Sequence, residues 1–211
     1  ATFFLESTFI AVWFFGWKKF SPKVHAVFIW LVAIASNLSA FWILVANAWM
    51  QHPVGYVVQN GRAEMTDFLA LITNPYAIGQ YAHTLFAGIV TSGMLILAVC
   101  AYKILQGGIA REAFEKCMRY AVLYALAGLL AVMGSGHLQA QQVAHMQPMK
   151  LASMEALWES ADPAPLAAMA VIDVKNERNT MEVNIPYLLS FMVYNQPSGE
   201  IKGIHALQQQ Y

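Results

Sequence analysis

The chain has 211 residues, of which 58% are hydrophobic and only 11% charged, and its 12 basic residues balance its 12 acidic ones. A soluble domain carries roughly 25% charged residues, so this composition predicts an integral membrane protein. The balanced charge argues against a nucleic-acid partner. The two cysteines, Cys100 and Cys117, indicate neither a disulfide framework nor a metal site. The chain begins inside an apolar run and without Met, so we expect a fragment of a longer protein.

Four apolar segments predict the transmembrane helices of an all-α, polytopic bundle, because about 20 helical residues cross a bilayer. Their approximate bounds are 1–17, 24–50, 77–102 and 120–136. The remaining region, 137–211, contains five of the eight prolines and no further apolar segment of that length. We therefore expect a membrane bundle over residues 1–136 and an extramembrane loop region over 137–211.

Basic residues concentrate in the first and third connections between these segments. They are Lys18, Lys19 and Lys23 in the first, and Lys103, Arg111, Lys116 and Arg119 in the third. Because basic loops stay on the cytoplasmic side, the first and third segments are predicted to run from outside to inside. The region 137–211 is then expected on the outer side.

Glu6 lies inside the first apolar segment, where a carboxylate costs at least a few kcal/mol and usually faces a polar interior. At 1.5 Å per helical residue, Glu6 is roughly 18 Å from the surface marked by Lys18. Ser39 is roughly 21 Å from the same surface on the neighbouring segment. With Ser7 beside Glu6, these groups suit proton transfer. The alternative is a protonated glutamate that hydrogen-bonds to a neighbouring helix and serves packing.

His83 is the one histidine well inside an apolar segment. A neutral imidazole is a good axial ligand for haem iron, and Gly79 and Gly88 could let a flat ring approach. His137, at the outer end of the fourth segment, is the geometric candidate for a second ligand. The alternative for His83 is a core histidine bonded to a backbone carbonyl.

Lys150 and Glu155 lie in "QPMKLASMEALWES", which has the apolar spacing of a helix. Five residues on an ideal helix place them about 140° apart, so they are not expected to pair with each other. Each could meet a ligand or another segment. The alternative is two solvated charges on an amphipathic helix.

Four motifs together resemble subunit I of the cytochrome bd-type quinol oxidases, over essentially the whole chain. They are "FFLESTF", "SNLSAFWILVANAWMQHP", "YAHTLFAG" and "QPMKLASMEALWES", in that order. The resemblance implies the third to sixth transmembrane helices and much of the outer quinol-binding loop of a multi-pass protein of a bacterial or archaeal cell (inner) membrane. Such an enzyme oxidises quinol on the outer side and reduces dioxygen to water. The family's other haem ligands lie outside this sequence, so the fragment alone is expected to be inactive.

The resemblance also implies roles for individual residues. His83 matches the axial ligand of the low-spin haem b, whose partner ligand in the family is a methionine on a later helix, so His137 loses that role. Lys150 and Glu155 match loop residues implicated in quinol oxidation.

In the same way, Glu6, Ser7 and Ser39 match a proton path leading to haem d. The complete enzyme is expected to carry a high-spin haem b as well. The implied partners are quinol, dioxygen, membrane lipid and a second oxidase subunit. A small accessory subunit is a further partner that the resemblance allows.

Two other functions fit the composition. The chain could be a non-catalytic haem-binding subunit that only transfers electrons, or part of a proton-coupled transporter with Glu6 as its coupling site. The lack of broken-helix pairs and of inverted repeats counts against the transporter.

Overall fold

The computed structural model describes residues 2–210 and is mostly helical. The first residue of the first predicted span and the last residue of the predicted loop region lie outside the described residues. The helices are α1 Thr2–Phe15, α2 Pro22–Gln51, α3 Phe68–Ile72, α4 Pro75–Gln106, α5 Arg111–Met146, α6 Pro148–Met154, α7 Leu188–Tyr194 and α8 Ile204–Gln208. The strands are β1 Tyr56–Gln59, β2 Arg62–Met65, β3 Leu166–Asp173 and β4 Arg178–Ile185. The chain divides into two compact units, Ala1–Gly88 and Ile89–Tyr211, and the division falls within α4.

Three segments of the described chain are long and apolar enough to cross a membrane: Pro22–Gln51, Phe68–Gln106 and Arg111–Met146. They coincide with the second, third and fourth predicted spans. The first predicted span corresponds to α1, which is apolar but has only 14 residues.

In the first unit, α1 packs along α2 after a short turn. Ser21 caps α2, with its hydroxyl accepting from the Val24 amide at 3.4 Å, and Pro22 occupies the first helical turn, where its missing N–H costs nothing. The His25 ring lies 2.6 Å from the Trp13 carbonyl oxygen and stacks on the Trp13 ring. These contacts fix the two helices together near the turn.

Asn74 joins the end of α2 to the start of α4 and is buried. Its amide nitrogen donates to the His52 carbonyl at 3.0 Å, and its side-chain oxygen accepts from the Tyr76 amide at 3.0 Å. Both polar ends of a buried side chain are therefore satisfied. The adjoining core consists of Val45, Ala48, Tyr76 and Ala77, with Phe41 and Leu71 packed against it.

The hairpin of β1 and β2 departs from the all-α expectation. Its two-residue turn is Asn60 and Gly61, with φ angles of 52° and 72°. Two positive φ angles are what a tight hairpin turn requires, and Asn-Gly is the dipeptide that adopts them most readily.

In the second unit, α4 and α5 approach closely through small residues. A Cβ added at Gly93 would lie 2.8 Å from the Ala125 Cβ, and one added at Gly128 would lie 2.6 Å from Ile89 Cγ2. Small residues at such contacts let helix backbones pack where apolar burial provides little driving force.

Helix α5 continues past residue 136 to Met146, so His137 lies within a helix. The residues that follow His137 favour helix, and the next proline is Pro148, at the first turn of α6. The His137 ring nitrogen Nε2 lies 2.7 Å from Asn195 Oδ1.

The part of the chain after α5 combines a β-hairpin with short helices around a buried cluster, against which Val143 and Ala144 of α5 also pack. β3 and β4 pair antiparallel from Leu166↔Ile185 to Asp173↔Arg178, a second hairpin that the all-α expectation lacked. The buried core residues are Leu151, Ala164, Leu189, Val193 and Ile201. Buried Ser190 accepts from the Ala164 amide at 2.8 Å and donates to the Gly199 carbonyl at 2.7 Å.

Candidate functional site

A cavity of about 400 Å³ opens between the β3–β4 hairpin and the segment that follows α6. We call it the Glu155 cavity. One wall comes from the segment after α6, and the facing wall comes mainly from β4. The lining residues are Glu155, Ala156, Leu157, Trp158, Glu159, Pro165, Ala167, Glu177, Arg178, Asn179, Glu182 and Asn184.

Glu155 ends helix α6, and its amide donates to the Leu151 carbonyl at 3.0 Å. Its side chain is half-buried in the cavity, and this burial raises the pKa of the carboxyl above its ordinary value. A carboxyl desolvated in this way takes up a proton at higher pH than a surface glutamate does. Glu155 can therefore act as a proton acceptor in the cavity.

Asn179 of β4 ties the two walls together. Its amide nitrogen donates to the Ala156 carbonyl at 2.9 Å, and its side-chain oxygen accepts from Trp158 Nε1 at 3.0 Å. The Trp158 ring is thereby held in the cavity wall, where a planar apolar ligand could pack against it.

His205 of α8 bridges two carboxylates at the rim. Its Nδ1 lies 2.8 Å from Glu159 Oε1, and its Nε2 lies 2.9 Å from Glu177 Oε2. The hydrogen bonds to Glu159 and then to Glu177 raise the pKa of the imidazole above 6.5.

Acidic groups outnumber basic ones around the cavity. Glu155, Glu159, Glu177 and Glu182 line it, against Arg178 alone among the cationic side chains of the lining. Such a site disfavours anions. It suits a neutral ligand that gives up protons.

Lys150 lies on the exposed side of α6 and is not among the cavity's lining residues. The structure therefore places Glu155 in the cavity lining and Lys150 outside it.

A second polar site lies between α1 and α2, where the Ser36 hydroxyl donates to Glu6 Oε1 at 2.6 Å. Sequence analysis had selected Ser7 and Ser39 instead. The Ser7 hydroxyl donates to the Phe3 carbonyl of its own helix, and within residues 2–210 the Ser39 hydroxyl makes no hydrogen bond. Ser36 lies one turn before Ser39, so the depth estimate also admitted it.

His83 is half-buried on α4, within an uncharged stretch. Gly79 and Ala87, four residues to either side, share its face of the helix and carry at most a methyl group. A Cβ added at Gly88 would meet no atom of a neighbouring segment within 4 Å among residues 2–210. An imidazole flanked by small residues in apolar surroundings fits one axial position of a haem.

Among residues 2–210, no three His, Cys, Asp or Glu side chains come together as a metal cluster.

The family model for cytochrome bd terminal oxidase subunit I matches residues 1–211. The chain belongs to this family. Its fold agrees with that assignment, because the structure of bd oxidase from Geobacillus thermodenitrificans superposes with a TM-score of 0.77 at 27% identity. That comparison covers 97% of this chain and 47% of the other.

Two relatives in the oxidase family are closely similar in sequence. The cytochrome bd ubiquinol oxidase subunit 1 of Bacillus subtilis (strain 168) is 45% identical over 99% of this chain and 45% of its own length. The cytochrome bd-II ubiquinol oxidase subunit 1 of Escherichia coli (strain K12) is 39% identical over 97% of this chain and 40% of its own length. The chain thus spans less than half the length of these relatives.

Proposed function

We propose that the chain is part of subunit I of a terminal quinol oxidase and that the Glu155 cavity binds quinol and accepts its protons. One observation carries this proposal: a half-buried glutamate with a raised pKa lines a cavity of about 400 Å³ in a member of this family. The names of both relatives specify ubiquinol oxidases, which supports a quinol substrate.

The cavity offers the groups that quinol oxidation needs. The Trp158 ring provides a flat apolar surface for the quinol ring, and the Glu155 carboxylate accepts a proton from a quinol hydroxyl. A base works best when its pKa lies near the working pH, so desolvation of Glu155 favours this role. Oxidation to quinone releases two electrons and two protons, and the protons leave through the open, acidic rim.

His83 would hold the iron of the low-spin haem b. Haem supplies one-electron transfer when bound, and His83 and the small residues beside it provide the ligand and the space. The other haem ligands, the high-spin haem b and haem d would belong to the complete enzyme.

Glu6 and Ser36 would carry protons from the cytoplasmic side towards the site of dioxygen reduction. Glu6 is half-buried in an apolar helix, and its 2.6 Å bond to Ser36 connects it to α2. An intramembrane carboxylate with a bonded hydroxyl is the arrangement that proton relays use.

We further propose that four helices cross a bacterial or archaeal cell membrane, with residues 137–211 outside. The basic turns before α2 and between α4 and α5 support this orientation. Helix α1, Thr2–Phe15, would be one of the four. Dioxygen, a second oxidase subunit, a small accessory subunit and membrane lipid complete the proposed partners.

The decisive experiment replaces Glu155 in the complete oxidase. Glu155→Gln removes the proton acceptor, so quinol-dependent oxygen uptake should fall by about 100-fold, as expected for loss of general-base catalysis. Haem absorbance should be unchanged. Glu200→Gln, an exposed carboxyl outside the cavity lining, is the matched control and should keep wild-type uptake. Wild-type uptake in Glu155→Gln would refute the quinol site.

The same preparation tests His83 through reduced-minus-oxidised spectra. His83→Ala should lose the low-spin b-type band while haem d is retained, and His145→Ala, an exposed histidine in the last turn of α5, should keep both. An unchanged spectrum in His83→Ala would contradict ligation. Intact b-type absorbance without quinol-dependent uptake in the wild type would instead indicate a subunit that only transfers electrons.

A further inference from the structure

We propose that His205 is a positioning residue for the Glu155 cavity, because its imidazolium fastens the tip of the β3–β4 hairpin to the segment that forms the opposite wall. This inference rests on the proposed quinol site and adds to it a residue outside the cavity lining. None of the sequence motifs pointed to His205.

The main chain around His205 is anchored firmly to one wall. The Ile204 amide donates to the Leu157 carbonyl at 2.9 Å, and the His205 amide donates to the Trp158 carbonyl at 3.1 Å. The Gly203 amide donates to Ser160 Oγ at 3.0 Å. His205 therefore moves with the segment that carries Glu155 and Trp158.

The side chain of His205 reaches across to the other wall. Glu177 adjoins β4 at the hairpin tip, and its carboxylate lies 2.9 Å from the His205 ring. The tip is ordered internally, because Asp173 accepts from the Asn176 amide at 3.2 Å and Glu177 adopts a left-handed φ of 51°. A contact at Glu177 therefore restrains β4 and the cavity wall that it forms.

Both ring nitrogens of His205 face carboxylate oxygens, at 2.8 Å from Glu159 and 2.9 Å from Glu177. An ionised carboxylate only accepts hydrogen bonds. A neutral imidazole has one N–H to donate, whereas the imidazolium has two. The double bridge therefore requires the charged ring, and loss of its proton breaks one of the two contacts.

The charges that act on the ring are those of Glu159 and Glu177. On the hairpin, Arg178 faces Asp173, with 3.9 Å between Nε and Oδ2. Helix α6, which packs against α8, carries Lys150 and ends at Glu155.

The direction of the pH dependence follows from the raised pKa of His205. The bridge is fully formed below the ordinary histidine value of 6.5 and is lost as the pH rises through the higher pKa of the folded protein. The wall that β4 forms should loosen over that range, and quinol should bind more weakly.

The test measures the Michaelis constant for quinol against pH in the complete oxidase. In the wild type it should rise by about two- to fivefold above the His205 pKa, the range that exposed ion pairs produce. In His205→Gln the Michaelis constant should be high at every pH. A glutamine side chain is neutral, so it cannot replace the charged hydrogen bonds that the imidazolium makes to both carboxylates. His205→Lys keeps a positive charge throughout, so its Michaelis constant should stay low and flat.

Lys202→Gln removes an exposed charge from the same segment outside the cavity lining and should follow the wild-type profile. Hydrogen exchange of the hairpin amides, residues 166–185, gives a second measurement. It should speed up in His205→Gln and, at high pH, in the wild type, with haem content unchanged.

Two outcomes separate this proposal from the proposed function. If Glu155→Gln slows turnover while His205→Gln keeps the wild-type pH profile and hairpin exchange, the positioning role is overturned and the quinol site stands. If Glu155→Gln has no effect, the quinol site falls and the role of His205 falls with it.

Discussion

The hydrogen bond between Ser36 and Glu6 changes the proposed proton path at the level of single residues. The path implied by the family resemblance comprised Glu6, Ser7 and Ser39. In the structure, Ser36 of α2 is the hydroxyl bonded to the Glu6 carboxyl, at 2.6 Å. We infer that Ser36 belongs to the path as the immediate partner of Glu6.

Replacement of Ser36 by alanine in the complete oxidase should slow oxygen uptake at saturating quinol by about tenfold. A hydrogen bond to a charged group is worth about 1.5–3 kcal/mol, and about 1.4 kcal/mol corresponds to tenfold in rate. Reduction of the haem proposed to bind at His83 should be unaffected, because quinol oxidation precedes this step. Stopped-flow absorbance and an oxygen electrode measure the two rates.

Ser7→Ala is the control for this prediction, since its hydroxyl bonds to the Phe3 carbonyl of its own helix. It should keep the wild-type rate. A normal rate in Ser36→Ala together with a slow Ser39→Ala would favour the path that includes Ser39.

The sequence predicts the level at which α1 meets α2 near Glu6, but not which hydroxyl of α2 bonds to Glu6. Counting residues from the basic turn places Glu6 near the level of Ser39, and the structure bonds Glu6 to Ser36, three residues before Ser39. Ser36 and Ser39 lie within one helical turn of each other, and only the rotation of α2 about its axis decides which hydroxyl faces α1. That rotation is set by packing, such as the Trp13 and His25 contact, and not by local sequence.

At the scale of elements, the contact between α4 and α5 depends on Gly93. A Cβ at this position would lie 2.8 Å from the Ala125 Cβ and 3.1 Å from its Cα, so part of the obstruction is backbone. Gly93→Ala should therefore destabilise the helix pair by about 1–3 kcal/mol, as overpacking does, despite the better helix propensity of alanine.

Thermal unfolding of the detergent-solubilised oxidase, followed by haem absorbance, measures this effect. The control is Gly134→Ala in α5, where an added Cβ would meet no described atom within 4 Å. That variant should unfold at the wild-type temperature or slightly above. Equal stability of Gly93→Ala and wild type would show that the two helices can separate without cost.

The long apolar helices were predictable because their signal is local and lengthy. Three of the predicted spans coincide with helices long enough to cross a membrane. The hairpins were missed for two different reasons. Asn60-Gly61 is a typical hairpin turn, but the long apolar segments on either side favoured an all-α prediction. In β3 and β4, buried and exposed residues do not alternate regularly, so the pattern does not indicate a strand pair.

The Glu155 cavity shows a further limit of local patterns. Glu155 itself was selected from its motif, but the wall that faces it comes from β4. The bonds of Asn179 to Ala156 and Trp158 join residues more than 20 positions apart. The same holds for His205, whose carboxylate partners are 46 and 28 positions away in sequence.

On the scale of the whole molecule, the proposed chemistry depends on sidedness. Quinol protons would leave from the Glu155 cavity on the outer side, while the protons consumed in making water would enter past Glu6 from the cytoplasm. Separation of the two proton movements makes the reaction electrogenic without a pumping step. The orientation rests on the basic residues of two turns, so it needs a direct test.

The chain offers a natural label for the inner side. Cys117 is exposed near the start of α5, next to basic Lys116, whereas Cys100 is buried. Met181 of β4 is 84% exposed and stands in the same compact unit, in the region assigned to the outer side.

In intact cells, a membrane-impermeant maleimide should label Met181→Cys and leave Cys117 unlabelled until the membrane is opened. Cys117→Ser in the Met181→Cys background isolates the outer signal. Labelling of Cys117 from outside, with Met181→Cys protected, would place the Glu155 cavity in the cytoplasm. Quinol protons would then be released on the side from which water formation takes them, and the oxidase would lose its charge separation.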